Sequence, residues 1–336
     1  MNSAPPPLSL EDYVQGIRAG DHRILARAIT LIESRKPADA VLAQTLLARL
    51  LPETGKSIRV GITGAPGAGK STLIDSLGIY LLERGRQVAV LAVDPSSKVS
   101  GGSILGDKSR MTRLAQEARA YIRPSPSAQS LGGVSRRTRE GLLLCEAAGF
   151  DVVLIETVGV GQSEMVVADM VDAFVVLLLP GAGDELQGIK KGLLELADIV
   201  AVNKADGDSL PKARDTCKEY AAALRYLRPR SPNWKPRALS VSALTGTGLA
   251  DLWELLEQCH ETLQKSGELE ERRREQLRCW MWSLIGERLM DAFRSHDAVK
   301  AQLAATERAV IEGKTTASQA AAVLLALFGI ECPRGD

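Results

Sequence analysis

The chain has 336 residues, 45% of them hydrophobic and 25% charged, and a formal net charge of +1. That is enough to bury one large core in one or two domains. The balanced charge gives no global electrostatic reason to expect a nucleic acid or an anionic membrane as partner. No apolar run has the length of a membrane span, the stretch 320–330 being too short and too rich in alanine. The first ten residues hold three prolines and no basic segment leading into an apolar one, so no secretory signal is expected. Cys145, Cys217, Cys259, Cys279 and Cys332 are scattered without a C-x-x-C pair, the pattern of reduced thiols in a cytoplasmic protein.

In chain order, 10–51 has helical spacing: Leu10, Tyr13, Val14 and Ile17, then Ile24, Leu25, Ala28, Ile29 and Ile32, then Val41 to Leu51. Gly20-Asp21 and Lys36-Pro37 punctuate these helices. From Ser57 to Cys259 short β-branched runs alternate with helical segments. The spacing predicts strands over 59–63, 87–93, 120–123, 151–156, 173–179, 199–203 and 237–241, and helices over 70–84, 111–117, 135–148, 186–195, 210–227 and 248–260. Such alternation predicts an α/β fold, a mostly parallel sheet covered on both faces. Ligands in such sheets sit at the carboxyl ends of the strands. Beyond Glu268 the pattern is helical again. Leu277, Trp280, Met281, Leu284, Ile285 and Leu289 form an apolar stripe behind a charged run, 268–274, which reads as a solvated helix face. Trp253, Trp280 and Trp282 read as core or as interface residues. Three regions result: an N-terminal helical extension (1–55), a central nucleotide-binding domain (56–262) and a C-terminal helical region (263–336).

The central domain opens on Gly64-Ala65-Pro66-Gly67-Ala68-Gly69-Lys70-Ser71-Thr72, between an expected strand and an expected helix. This is the order a phosphate-binding loop requires. Glycines let backbone N–H groups approach phosphate oxygens, and the helix N-terminus adds unpaired donors. Lys70 can reach the β- and γ-phosphates, and the Ser71 hydroxyl can join a Mg²⁺ shell. Asn203-Lys204-Ala205-Asp206 ends a later strand. The Asp206 carboxylate can accept from both the ring N–H and the amino group of guanine, whereas adenine would leave it desolvated and unpaired. Each lost charged hydrogen bond costs about 1.5–3 kcal/mol, enough to select the base. Asn203 would contribute hydrogen bonds near the base, with Lys204 packed along it. Ser242-Ala243-Leu244 suits a loop whose backbone N–H meets the guanine carbonyl.

Glu156 ends the strand before Thr157-Val158-Gly159, where a carboxylate can hold the Mg²⁺ shell, acting through water if its longer arm requires. Asp94-Pro95-Ser96-Ser97 and the run from Gly101 to Lys108, rich in Gly, Ser and Asp, form a candidate switch with Asp94 and Asp107 placed near the metal. Gly181-Ala182-Gly183-Asp184-Glu185 ends another strand. It reads equally as a further switch reaching Lys190 or as the acidic start of a helix.

Taken together, these motifs resemble the P-loop NTPases of the SIMIBI class of GTPases, in the branch with Glu at the strand-end metal position. Val93 to Ser97, Ser100 to Lys108, Glu156 to Glu164 and Gly181 to Asp184 resemble the MeaB/ArgK/MMAA family over essentially the whole chain. The resemblance implies GTP/GDP and Mg²⁺ as ligands. It also implies a chaperone GTPase that gates cofactor loading and protects or reactivates an adenosylcobalamin-dependent acyl-CoA mutase, typically methylmalonyl-CoA mutase. A homodimer built through the C-terminal helices and a third switch from Gly181 to Lys190 follow from it as well. Lys70, Asp107, Glu156 and Lys190 are the expected catalytic residues; Ser71, Asp94, Asp107 and Glu156 the expected metal set. No D-x-H-x-x-G pattern occurs, so cobalamin is expected on the partner. The scattered His22, His260 and His296 speak against a metal-delivery GTPase, and a small-molecule kinase is the more distant alternative.

Overall fold

In the computed structural model, the described residues are 8–34, 36–93, 110–124, 131–157, 163–181 and 191–330. They fall into two compact units, Met1–Gln276 and Leu277–Asp336. The first unit begins with three helices, α1 (Leu10–Arg18), α2 (His22–Glu33) and α3 (Pro37–Leu50). Ser9 and Asp12 start α1 with a reciprocal capping box, satisfying two of the donors a helix N-terminus leaves open.

A seven-stranded sheet follows, β1 (Ile58–Gly64), β2 (Val88–Val93), β3 (Ala120–Arg123), β4 (Val152–Thr157), β5 (Ala173–Leu178), β6 (Ile199–Val202) and β7 (Arg237–Ser240). All pairings are parallel, in the order β3-β2-β4-β1-β5-β6-β7. The connecting helices are α4 (Lys70–Glu83), α5 (Leu131–Ala147), α6 (Ser163–Ala168), α7 (Lys191–Leu196), α8 (Leu210–Ala223) and α9 (Leu249–Lys265). All seven expected strands are present, each within one residue at either end. The helix α6 is an addition, because six residues are too few to show a helical period.

Strand side chains alternate between two cores. Val60, Ile62, Val88, Val90, Leu154, Val175 and Ala201 face α4 and α9. Ala89, Leu91, Val153, Phe174, Val176 and Val200 face the other way, toward the core that includes α1–α3 and α5. Gly61 sits where β1 is crossed closely: a Cβ there would stand 2.7 Å from Phe174 Cδ2 and 2.9 Å from Val167 Cγ1. Trp253 and Trp234 are core residues, the latter donating its ring N–H to Asp198 O.

The charged run is solvated at Glu270, Glu271 and Arg274, as expected, but departs from that role at Arg272 and Arg273. It opens α10 (Glu268–Ser295), and Arg272 and Arg273 are turned inward at the amino edge of the sheet, with side chains only 8% and 15% exposed. Arg273 donates to Asp172 Oδ1 (2.8 Å) and Oδ2 (2.6 Å) and to the carbonyls of Gly55 and Ser57. Arg272 donates to Asp172 O and to Glu268, and lies 3.7 Å from Asp198. Arg59 on β1 pairs with fully buried Glu146, and Arg230 approaches Asp198. Charges buried this deeply are retained only when paired and hydrogen-bonded. A helical period cannot show this, because the partners lie about a hundred residues upstream.

In the second unit, α10 continues beyond Gln276 and is followed by α11 (Asp297–Ile311) and α12 (Ala317–Leu327). Phe328 packs edge-on against Phe293 and His296. Among the described residues no helix is long and apolar enough to cross a membrane.

Burial pushes the Asp172 carboxyl up, but the Arg273 and Arg59 guanidinium groups outweigh it and hold the group below its usual range. Its stabilising contribution is therefore complete above the ordinary carboxylate range and is lost as pH falls through the depressed folded value. Asp172→Ala should cost about 3–5 kcal/mol at neutral pH by stranding buried Arg273. Urea denaturation across pH should show the gap between variant and parent closing only in strong acid.

Candidate functional site

The carboxyl ends of β1, β4 and β6 bring together most of the residues singled out in the sequence. β1 ends at Gly64, and α4 begins at Lys70 with Gly69 as its cap at φ 89°. Gly64 and Gly67 also have positive φ, 150° and 79°. Ala65, Pro66, Gly67 and Thr72 are exposed, while Ala68 and Lys70 are buried. The Lys70 ammonium folds back into the loop, donating to Gly64 O at 2.7 Å and Ala65 O at 3.2 Å. Burial lowers its pKa, with the carboxylates of Glu156 and Glu164 opposing.

One residue along, Ser71 Oγ donates to Glu156 Oε1 at 2.8 Å. Glu156 is buried near the end of β4, in register with Ile62 of β1 and Ala92 of β2. Thr157 and Thr63 join β4 to β1 through their hydroxyls at 2.8 Å. Thus Glu156, read from a separate motif, meets the Lys70-Ser71 end of the glycine loop. Asp94, Asp107 and Lys190 lie outside the described residues.

The second half of the site is built by β6 and the loop after β7. Asn203 is buried and spans two loops: its Nδ2 donates to Ala68 O at 2.8 Å and its Oδ1 accepts from Ala243 N at 3.0 Å. In this arrangement its amide joins the phosphate loop to the 242–244 loop. Lys204, exposed, has φ 59°, the one non-glycine residue with positive φ among those described. Such a conformation costs of order 1–3 kcal/mol and clusters at functional sites. Ser242 Oγ donates to Asp206 Oδ1 at 2.6 Å, fixing the carboxylate, while Ser242 N donates to Thr247 O. Leu244 projects its side chain outward, 80% exposed.

Sequence reading gave no role to Thr63, Ser76 or Arg113, and none to Glu164 beyond its place in a motif. A hydroxyl or guanidinium whose partner is remote in sequence leaves no local pattern.

Two glycines separate backbone strain from crowding. A Cβ on Gly67 would meet nothing within 4 Å, whereas one on Gly69 would stand 2.5 Å from Asn203 Nδ2. Gly67→Ala should cost about 1–2 kcal/mol from its left-handed backbone alone. Gly69→Ala should cost more, because Asn203 must also move. Urea denaturation of the two variants measures the difference; equal losses would mean that Asn203 yields freely.

Known proteins resemble this chain along most of its length. Residues 25–298 match the family described as methylmalonyl Co-A mutase-associated GTPase MeaB. A protein of Caulobacter vibrioides named a putative GTPase is 56% identical over 325 residues, covering 97% of this chain and 99% of that one. The mouse (Mus musculus) protein named methylmalonic aciduria type A homolog, mitochondrial, is 47% identical over 323 residues, covering 93% and 78%. The crystal structure of a LAO/AO transport system kinase superposes with a TM-score of 0.78 at 36% identity, covering 98% of this chain and all of that one. The chain belongs to the MeaB family of methylmalonyl Co-A mutase-associated GTPases.

Proposed function

We propose that this GTPase serves as a chaperone for an adenosylcobalamin-dependent acyl-CoA mutase, of which methylmalonyl-CoA mutase is the best candidate, gating cofactor loading and protecting or reactivating the enzyme. The observation that supports the hydrolytic half most directly is the Ser71–Glu156 hydrogen bond beside the buried Lys70 ammonium. It sets a hydroxyl, a carboxylate and a cation where the phosphates of a nucleotide on this loop would lie. The mutase-directed half rests on family membership.

In the reaction, a water oxygen bonds to the γ-phosphorus as the bond from that phosphorus to the β,γ-bridging oxygen breaks. The electron pair leaves with GDP, and the water proton ends on phosphate. Such transfers are accelerated by positioning and charge stabilisation more than by covalent steps. Lys70 would exchange the Gly64 and Ala65 carbonyls for phosphate oxygens, bringing a positive charge to the developing negative one. The backbone N–H groups of Gly67 and of residues 69–71 would hold the phosphates, and Asp206 the guanine edge. Asn203, between the two loops, would keep them at one separation.

Among the described residues no cluster of three or more His, Cys, Asp or Glu could hold a metal alone. The Ser71 hydroxyl and Glu156 carboxylate are nonetheless the hard oxygen pair that suits Mg²⁺, which keeps several waters and takes its other ligands from phosphate. When bound, Mg²⁺ would neutralise charge on the β- and γ-oxygens. Asp94 and Asp107 complete the metal set in this reading, and Lys190 adds positive charge on activation; both assignments rest on sequence. A second copy of the chain is the proposed partner for α10, whose Leu277, Met281, Ile285 and Leu289 recur every four residues and are all exposed.

Phosphate release from GTP should be slow for the chain alone and rise when an adenosylcobalamin-dependent mutase is added, with ATP left intact. Hydrolysis of ATP at a comparable rate would overturn the guanine reading. An unchanged rate with every such mutase would overturn the chaperone reading.

A further inference from the structure

The hydrogen bonds that join the two loops continue beyond the site through α4. Ser76 Oγ donates to Ala243 O at 2.6 Å and accepts from Arg113 Nη2 at 2.7 Å. Arg113 Nε donates to Asp75 Oδ2 at 2.9 Å, while Asp75 Oδ1 accepts from Leu114 N at 2.9 Å. Asp75 and Ser76 are buried, and the Arg113 side chain is 58% exposed. A path of side chains thus runs from Arg113 through Ser76 to Ala243, then through Asn203 to Ala68 of the phosphate loop.

The direction of each proton is fixed by chemistry. A guanidinium only donates, so Arg113 can meet Ser76 only at an oxygen lone pair. The single serine proton is thereby left for Ala243 O. A charge-assisted bond also polarises the next one in a chain, strengthening the serine as donor. The turn that carries Arg113 has other anchors. Leu114 N binds Asp75, and the Leu114 side chain packs so closely on Gly78 that a Cβ there would stand 2.6 Å from Leu114 Cδ2. The bond from Arg113 Nη2 to Ser76 is therefore surplus to holding the turn, and its effect falls on the Ala243 loop.

We propose that Arg113, acting through Ser76, is a positioning residue for guanine recognition. It fixes the height of the 242–244 loop against the 6-carbonyl of the base without touching the nucleotide. This rests on the guanine reading above and adds to it the residues that hold the reading loop in place.

Titration of the full chain with GDP and with 6-thioguanosine diphosphate tests it, because sulfur in place of the carbonyl oxygen accepts poorly from a loop N–H. Arg113→Ala should weaken GDP about three- to tenfold, the worth of one hydrogen bond. The sulfur analogue should weaken less, so the preference for GDP narrows. Ser76→Ala, which leaves the Arg113–Asp75 pair intact, should do the same, and the double variant should be no worse than the stronger single one. Thermal melting without nucleotide confirms that each variant is folded, with Ser76→Ala carrying the test if Arg113→Ala is not. Equal weakening of both nucleotides, additive losses, or an unchanged preference would overturn the proposal while the guanine reading stands. A parent chain that binds ADP as well as GDP would overturn both.

Discussion

One buried amide holds the candidate site together. Asn203 sits at the carboxyl end of β6, gives its N–H to the phosphate loop at Ala68 and takes an N–H from Ala243. Those loops follow β1 and β7, and β6 pairs with β5 on one side and β7 on the other. Parallel pairing delivers all the strand ends to one edge but leaves the loops beyond them free to drift. A side-chain amide, donor at one end and acceptor at the other, sets the distance between them in a way no apolar contact could. Both its groups are buried, so either left unpaired would cost about 1–3 kcal/mol.

The two edges of the sheet use charge differently. At the amino edge Arg59 and Arg273 form doubly hydrogen-bonded pairs with Glu146 and Asp172, while Arg272 donates to Glu268 and lies 3.7 Å from Asp198. These tie the start of α10 to β1, β5 and β6 and have no reason to move. At the carboxyl edge Lys70 rests on two loop carbonyls, neutral acceptors that a phosphate can replace. A cation neutralised by a dedicated carboxylate would have to break that pair first. The buried acids near it raise its affinity for the proton only against the larger effect of burial.

Much of this was legible in the sequence. β-branched runs of four to seven residues, bounded by turn residues, located the strands because a parallel sheet buries both faces of each one. The glycine loop was legible because glycine adopts the left-handed backbone at 67 and 69 without strain, and the acid at 156 because it ended a strand. What stayed hidden depended on long-range pairing. Arg272 and Arg273 look like solvated helix charges until Asp172 is placed beside them, and Ser76 and Arg113 look like ordinary helix and turn residues until Ala243 arrives. Asn203 was recognised as part of a motif, but its place as the tie between two loops required both loops to be in view.

The claim that Asn203 sets the span of the site is tested most directly by calorimetric titration of Asn203→Ala with GDP and with inorganic pyrophosphate. GDP must reach from one loop to the other, whereas pyrophosphate needs only the first. The account predicts that GDP weakens by about tenfold or more while pyrophosphate stays within about twofold of the parent. Parallel losses for both ligands, or no loss for either, would contradict it.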